Sequence, residues 1–142
     1  MATFSTLDFG IEAGVARITL NRPDSANGIS MQLAQELLQA SLACRCSPQV
    51  RAVLLTGKGR MFCAGGDLNS FVENAANLEG FIKELTTYLH AAIANFAHMR
   101  APLVIAVNGA AAGAGFSLAA CGDLVLAARS AKFSMAYTGA GL

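Results

Sequence analysis

Residues 101–120 read APLVIAVNGAAAGAGFSLAA. The β-branched apolar run from Leu103 to Val107 predicts a buried strand. Asn108-Gly109 breaks that run. Gly113, Ala114 and Gly115 then make a turn whose backbone N–H groups can approach a ligand with almost no side chain in the way. A helical pattern resumes over residues 114–121, so the turn meets the partially positive end of a helix. Such a device suits a phosphate or an oxygen that is gaining negative charge, and the rest of the chain decides between them.

Working outward, residues 79–99 predict a long helix with Phe81, Leu85, Tyr88, Leu89, Ala92, Ile93 and Phe96 on one stripe and His90 and His98 off it. Downstream lie a short apolar strand, 124–128 (LVLAA), and a further apolar segment, 133–137 (FSMAY). Upstream, the apolar run 52–56 (AVLLT) reads as a strand covered on both faces. It leads into a second glycine-rich loop, GKGRMFCAGGDL (57–68), and a short helix over 67–73, with a polar, mobile stretch at 74–78. That loop is no phosphate loop, because a Lys-Ser or Lys-Thr pair does not follow its last glycine. Val15–Leu20 alternates as a strand, with Ala16, Ile18 and Leu20 on one face, and ends at the turn Asn21-Arg22-Pro23-Asp24. A helix capped by Ser30 then runs to Ala43, its stripe formed by Ala34, Leu37, Leu38 and Leu42. Glu36, Glu73, Glu79 and Glu84 fall on solvated helix faces. Strands and helices mix in a single core over residues 1–142, which makes the class α/β.

Charged residues are 13% of the chain and hydrophobic ones 54%. A typical soluble domain has roughly 25% and 45–50%, so too few charges are present to cover a monomer's surface. The chain also stops at Thr138-Gly139-Ala140-Gly141-Leu142 without a polar tail, and the two features together read as truncation combined with burial in an oligomer. Residues 101–121 have the length of a bilayer span, but Asn108-Gly109 and further glycines interrupt them and no basic cluster follows, so no membrane span is expected. MATFSTLDFG lacks the basic start of a signal peptide, which makes the cytoplasm the default location. A net charge of +1 gives no case for nucleic acid. Cys44, Cys46, Cys63 and Cys121 show neither zinc spacing nor a disulfide framework and read as reduced and buried, with no metal expected.

Two readings of the glycine turn compete. Gly109, Gly113 and Gly115 between a strand and a helix look like the cofactor turn of short-chain dehydrogenases, with Arg129 placed for the 2′-phosphate of NADP. Only eight residues separate Gly115 from Leu124, too few for a parallel crossover, and Tyr137 lacks the Lys expected four residues on. The other reading takes both glycine loops together. Phe62-Cys63-Ala64-Gly65-Gly66-Asp67-Leu68 and Val107-Asn108-Gly109-Ala110-Ala111-Ala112-Gly113-Ala114-Gly115 closely resemble the two signature segments of the crotonase superfamily, the enoyl-CoA hydratase/isomerase family. The resemblance extends to Leu20-Asn21-Arg22-Pro23, Ala101-Pro102 and Ala131-Lys132-Phe133, and so covers essentially the whole chain in order.

The resemblance implies a crotonase-like ββα spiral core lacking its C-terminal helical part. It implies an acyl-CoA thioester as substrate, with CoA part of that substrate and no separate cofactor. The thioester oxygen would be held by the backbone N–H groups of Gly66 and Ala114, an oxyanion hole. Ser25, Ala26, Asn27, Ala64, Gly65, Asp67, Leu68, Gly113 and Ser117 would line the substrate, and the assembly would be a trimer or hexamer. The two glutamates of the hydratases are absent: their places hold Ser117 and Tyr137, neither a base at neutral pH. Standard hydration is therefore not expected; an isomerase or atypical hydratase is, with its carboxylate beyond Leu142. Tyr137 and His90 are the remaining acid-base candidates, His90 because dehalogenase relatives carry a functional His on the matching helix. Asp67 suits a helix N-terminus by itself, and Cys63 lacks a nearby base. The alternative is a non-catalytic acyl-CoA binder that keeps the fold.

Overall fold

The computed structural model describes residues 4–141. Along the chain run β1 (Leu7–Glu12), β2 (Val15–Leu20), α1 (Met31–Cys46), β3 (Ala52–Gly57) and β4 (Met61–Cys63). Then come α2 (Leu68–Glu73), α3 (Leu78–His98), β5 (Leu103–Val107), β6 (Ala110–Ala112), α4 (Ala114–Ala120), β7 (Leu124–Ala127) and β8 (Phe133–Ser134). The strands form two sheets, one of order β1-β2-β3-β5-β7 and a small one of order β4-β6-β8. Among the described residues only the β1–β2 hairpin is antiparallel; β2, β3, β5 and β7 pair in parallel.

Register sets the core. Ala16 pairs with Val53 and Ile18 with Leu55, and these in turn pair with Leu103 and Ile105, so one face of the sheet is continuous aliphatic surface. It joins Leu33, Leu37 and Ala40 of α1 and Leu85, Leu89 and Phe96 of α3 in a single buried cluster. The opposite face, with Leu54, Thr56, Val104 and Ala106, is half-buried, so β3 is not covered equally on both sides as its apolar run suggested.

Ser30 caps α1 as expected, its hydroxyl accepting from the Leu33 N–H at 3.2 Å. The buried stripe of α1 is rotated from the predicted one: Leu33, Ala40 and Cys44 are inside, Leu38 is half-buried and Leu42 is exposed. Glu36 is not solvated but buried, because Ser5 and Thr6 reach it from the arm that leads into β1. Cys46 is exposed, in contrast to buried Cys44 and Cys63 and half-buried Cys121. Residues 75–77 form a 3-10 turn that passes into α3.

The glycine turn is not that of a dinucleotide-binding fold. After β5 the chain enters β6, in the other sheet, before it reaches α4, so no strand–turn–helix unit lies in one sheet. Residues 101–121 are thereby divided among β5, β6 and α4, and among the described residues no helix is long and apolar enough to cross a membrane.

Candidate functional site

The small sheet brings the two glycine loops together. β4 and β6 are parallel, with Met61 opposite Ala110 and Cys63 opposite Ala111, so the chain leaves both strands at the same end. The two loops then touch through backbone. A methyl group built on Gly65, where φ is +99°, would come within 2.8 Å of the Ala112 carbonyl oxygen and 3.4 Å of the Ala114 nitrogen. Gly113 enters α4 at φ 51° and ψ −125°, a conformation a side chain would strain. Small residues are what this junction demands.

Its chemistry lies in the backbone. Ile29 donates its N–H to the Gly65 carbonyl at 2.7 Å and accepts from the Asp67 N–H at 3.1 Å, forming a parallel bridge opposite Gly66. Backbone groups alternate in direction along such a bridge, so the Gly66 N–H is turned away from Ile29. Ala114 is the first residue of α4, with no preceding turn to receive its N–H. Among the described residues neither N–H meets an acceptor. Both residues line one cleft of about 360 Å³, together with Ala64, Gly65, Leu68, Phe71, Gly113, Ala136, Tyr137 and Gly139. No carboxylate, imidazole or amine is among these lining residues. The arrangement can hold an oxygen as it gains charge, because both donors are held by backbone before that charge develops.

A second depression shares Ala64, Gly66 and Leu68 with this cleft and adds Ser25, Ala26, Gly28 and Asp67. Asn27 faces inward instead. Its side-chain oxygen accepts from the Arg22 N–H and its amide donates to the carbonyls of Lys58 and Met61, all at 2.9 Å, which locks the loop against the start of β4. Asp67 caps α2 by accepting from the Asn69 N–H and forms a 2.8 Å ion pair with Arg22. Burial pushes its carboxyl upward, but the Arg22 hydrogen bond and charge and the N–H groups of Ser70 and Asn69 outweigh this and hold it below the usual carboxylate range. Arg22 also donates to the Gly28 carbonyl, so one guanidinium fastens both walls of the depression.

Ser117 is exposed beside the cleft, and its Oγ lies 2.9 Å from the Tyr137 hydroxyl. The residues in the two expected glutamate places are thus joined to each other. His90 lies on an exposed part of α3 and lines neither depression. Cys63 is buried, and that burial, only partly offset by the Gly65 N–H, pushes its thiol up to about 11, so it stays protonated at neutral pH. Among the described residues no group of three potential metal ligands occurs. Phe71, which the sequence reading passed over, covers the cleft from α2 and stacks edge-on against Phe81, with centroids 6.2 Å apart. Its only signal was an aromatic residue in a short helix, LNSFVE, whose other apolar residues Leu68 and Val72 are exposed.

Comparison with known proteins gives a consistent result. The family model described as Enoyl-CoA hydratase/isomerase matches residues 10–142. A probable enoyl-CoA hydratase of Rhodobacter capsulatus is 41% identical over 140 residues, covering 99% of this chain and 52% of the relative. A 1,2-epoxyphenylacetyl-CoA isomerase of Escherichia coli is 39% identical over 133 residues, covering 93% of this chain and 51% of the relative. The crystal structure of a putative enoyl-CoA hydratase/isomerase from Mycobacterium abscessus superimposes with a TM-score of 0.90 at 36% identity, covering 96% of this chain and 53% of that one. The chain spans about half the length of the relatives it matches.

Proposed function

The chain belongs to the enoyl-CoA hydratase/isomerase family, and from that premise we propose that it holds an acyl-CoA thioester and stabilises its enolate between the N–H groups of Gly66 and Ala114. The observation that carries this reading is that two N–H groups without acceptors, from two loops in backbone contact, belong to residues lining one apolar cleft. When a base takes a proton from the carbon next to the carbonyl, the C–H electron pair becomes the enolate double bond and the charge moves to the thioester oxygen. That oxygen then accepts both hydrogen bonds more strongly than the ground-state carbonyl does, the condition for catalysis rather than mere binding. The depression beside Ser25, Ala26 and Asp67 takes the CoA arm, with Asn27 holding its loop in place.

The chemistry is isomerisation or an atypical hydration, because Ser117 and Tyr137 stand where a two-glutamate hydratase has its carboxylates. The base comes from the part of the relatives' length that this chain does not span. The family's trimeric or hexameric assembly and a cytoplasmic location belong to the same proposal. The second reading, a binder without turnover, rests on the same two residues.

One measurement separates the two readings. Butyryl-CoA incubated in deuterium oxide with the protein at its relatives' full length, so that the proposed base is present, loses its α-proton signal if an enolate forms; binding without exchange overturns the enzyme reading. Two substrates then assign the reaction: 3-butenoyl-CoA converted to its 2-enoyl isomer at unchanged mass marks isomerisation, and 2-butenoyl-CoA gaining the mass of one water marks hydration.

A further inference from the structure

The Gly66 N–H belongs to the most pliable backbone of the site. It follows Gly65, at φ +99°, and two glycines in succession leave the peptide between them free to turn unless something outside the loop holds it. That peptide is planar and trans, so its carbonyl and its N–H point in opposite directions. The Ile29 N–H, 2.7 Å from the Gly65 carbonyl oxygen, therefore fixes where the Gly66 N–H points. Ile29 and Gly66 meet in an isolated bridge rather than a ladder, flanked by the bonds from Ala64 N–H to the Ala26 carbonyl at 3.0 Å and from Asp67 N–H to the Ile29 carbonyl at 3.1 Å.

Arg22 closes this bridge from the side. One arm of its guanidinium donates to the carbonyl of Gly28, immediately before Ile29, and the other donates to Oδ2 of Asp67, immediately after Gly66, at 2.8 Å. Its own backbone N–H donates to the side chain of fully buried Asn27. The Arg22 side chain is 21% exposed and that of Asp67 9%, so water competes little for the contact. Arg22 lines neither the cleft nor the depression beside it, and its reach to the reacting oxygen runs through the backbone it holds. Resting on the enolate-site reading above, we propose that Arg22 is a positioning residue for the reaction: by tying Gly28 to Asp67 it keeps the Ile29 N–H on the Gly65 carbonyl, and so keeps the Gly66 N–H aimed at the thioester oxygen. A loosened clamp lets the Gly65–Gly66 peptide turn, and the donor is misaimed when charge develops. Lysine replaces the clamp poorly, because a single ammonium does not span two acceptors as the planar fork does.

The test uses the protein at its relatives' full length and two readouts on butyryl-CoA. One is the rate of α-proton exchange in deuterium oxide at saturating thioester; the other is the infrared C=O stretch of the bound thioester, which falls in frequency as its oxygen accepts stronger hydrogen bonds. Arg22→Met is expected to slow saturated exchange roughly ten- to a hundredfold. The half-saturating concentration stays nearly unchanged, the mark of an interaction made in the transition state, and the C=O band moves back towards its frequency in water. Arg22→Lys restores only part of both. Should Arg22→Met fail to fold, as read by circular dichroism, Arg22→Lys carries the comparison with the same signs. A folded variant with wild-type exchange and an unmoved band, or one whose loss lies only in the half-saturating concentration, overturns the positioning role while the enolate site stands. Absence of exchange in the wild-type protein overturns the enolate-site reading and this one with it.

Discussion

A single N–H is the smallest unit on which the functional reading depends, and proline can remove it with little else. Ala114 is the first residue of α4, where a missing N–H breaks no helical hydrogen bond and the fixed φ of proline fits. Ala114→Pro is therefore expected to slow α-proton exchange by roughly two to three orders of magnitude, while the melting temperature moves by no more than about 4 °C. Ala114→Gly, which keeps the donor, retains most of the rate. Full exchange in the proline variant would remove Ala114 from the role. The same residue shows how far sequence reaches: a turn of Gly113, Ala114 and Gly115 before a helix is visible as small residues in a row. That the Gly66 N–H is also free follows from its bridge to Ile29, 37 positions away, and no local pattern encodes it.

Among the elements, α1 shows what periodicity captures and what it misses. Its cap and its helical character are local properties, and Ser30 satisfies both. Its buried face is not local. Packing against α3 turns the stripe toward Leu33, Ala40 and Cys44, and the arm before β1 brings four donors to Glu36: the N–H and hydroxyl of Ser5, and the N–H and hydroxyl of Thr6, the last at 2.6 Å. Burial raises the Glu36 carboxyl, but these hydrogen bonds, led by the Thr6 hydroxyl, outweigh it and leave the group below its ordinary value. A carboxylate depressed on folding stabilises above its unfolded value of about 4.3 and loses that contribution as pH falls through the lower folded value. Glu36→Gln should therefore cost about 1–3 kcal/mol at pH 7, and the difference from wild type should shrink at acid pH, as urea unfolding at pH 7 and near pH 3 would reveal. An equal deficit at both would mean that the carboxylate charge contributes nothing. β4 and β6, which pair the two loops, escaped the sequence reading for a different reason: three residues are too few to display a period of two.

At the scale of the whole molecule, the low charge content has a definite location. β7 closes one end of the five-stranded sheet, and all four of its residues are exposed, with Leu124 and Leu126 each at 61%. Phe133 and Met135 are exposed as well. A parallel sheet ordinarily has both faces covered, and an apolar edge strand presents unpaired backbone groups beside that uncovered surface. Composition announced the surplus of apolar surface, but only the strand order places it, because β7 looks like any other buried strand in one dimension. Water is a poor solvent for such a face, so this 142-residue chain is expected to associate in a concentration-dependent way. Replacing Leu124 and Leu126 together by lysine should shift sedimentation toward the single-chain mass and leave the far-ultraviolet circular dichroism unchanged, since neither side chain belongs to the core between sheet and helices. Sedimentation of the unaltered chain as a single species at tens of micromolar would show that this edge is tolerated in water and that the apolar excess has some other cause.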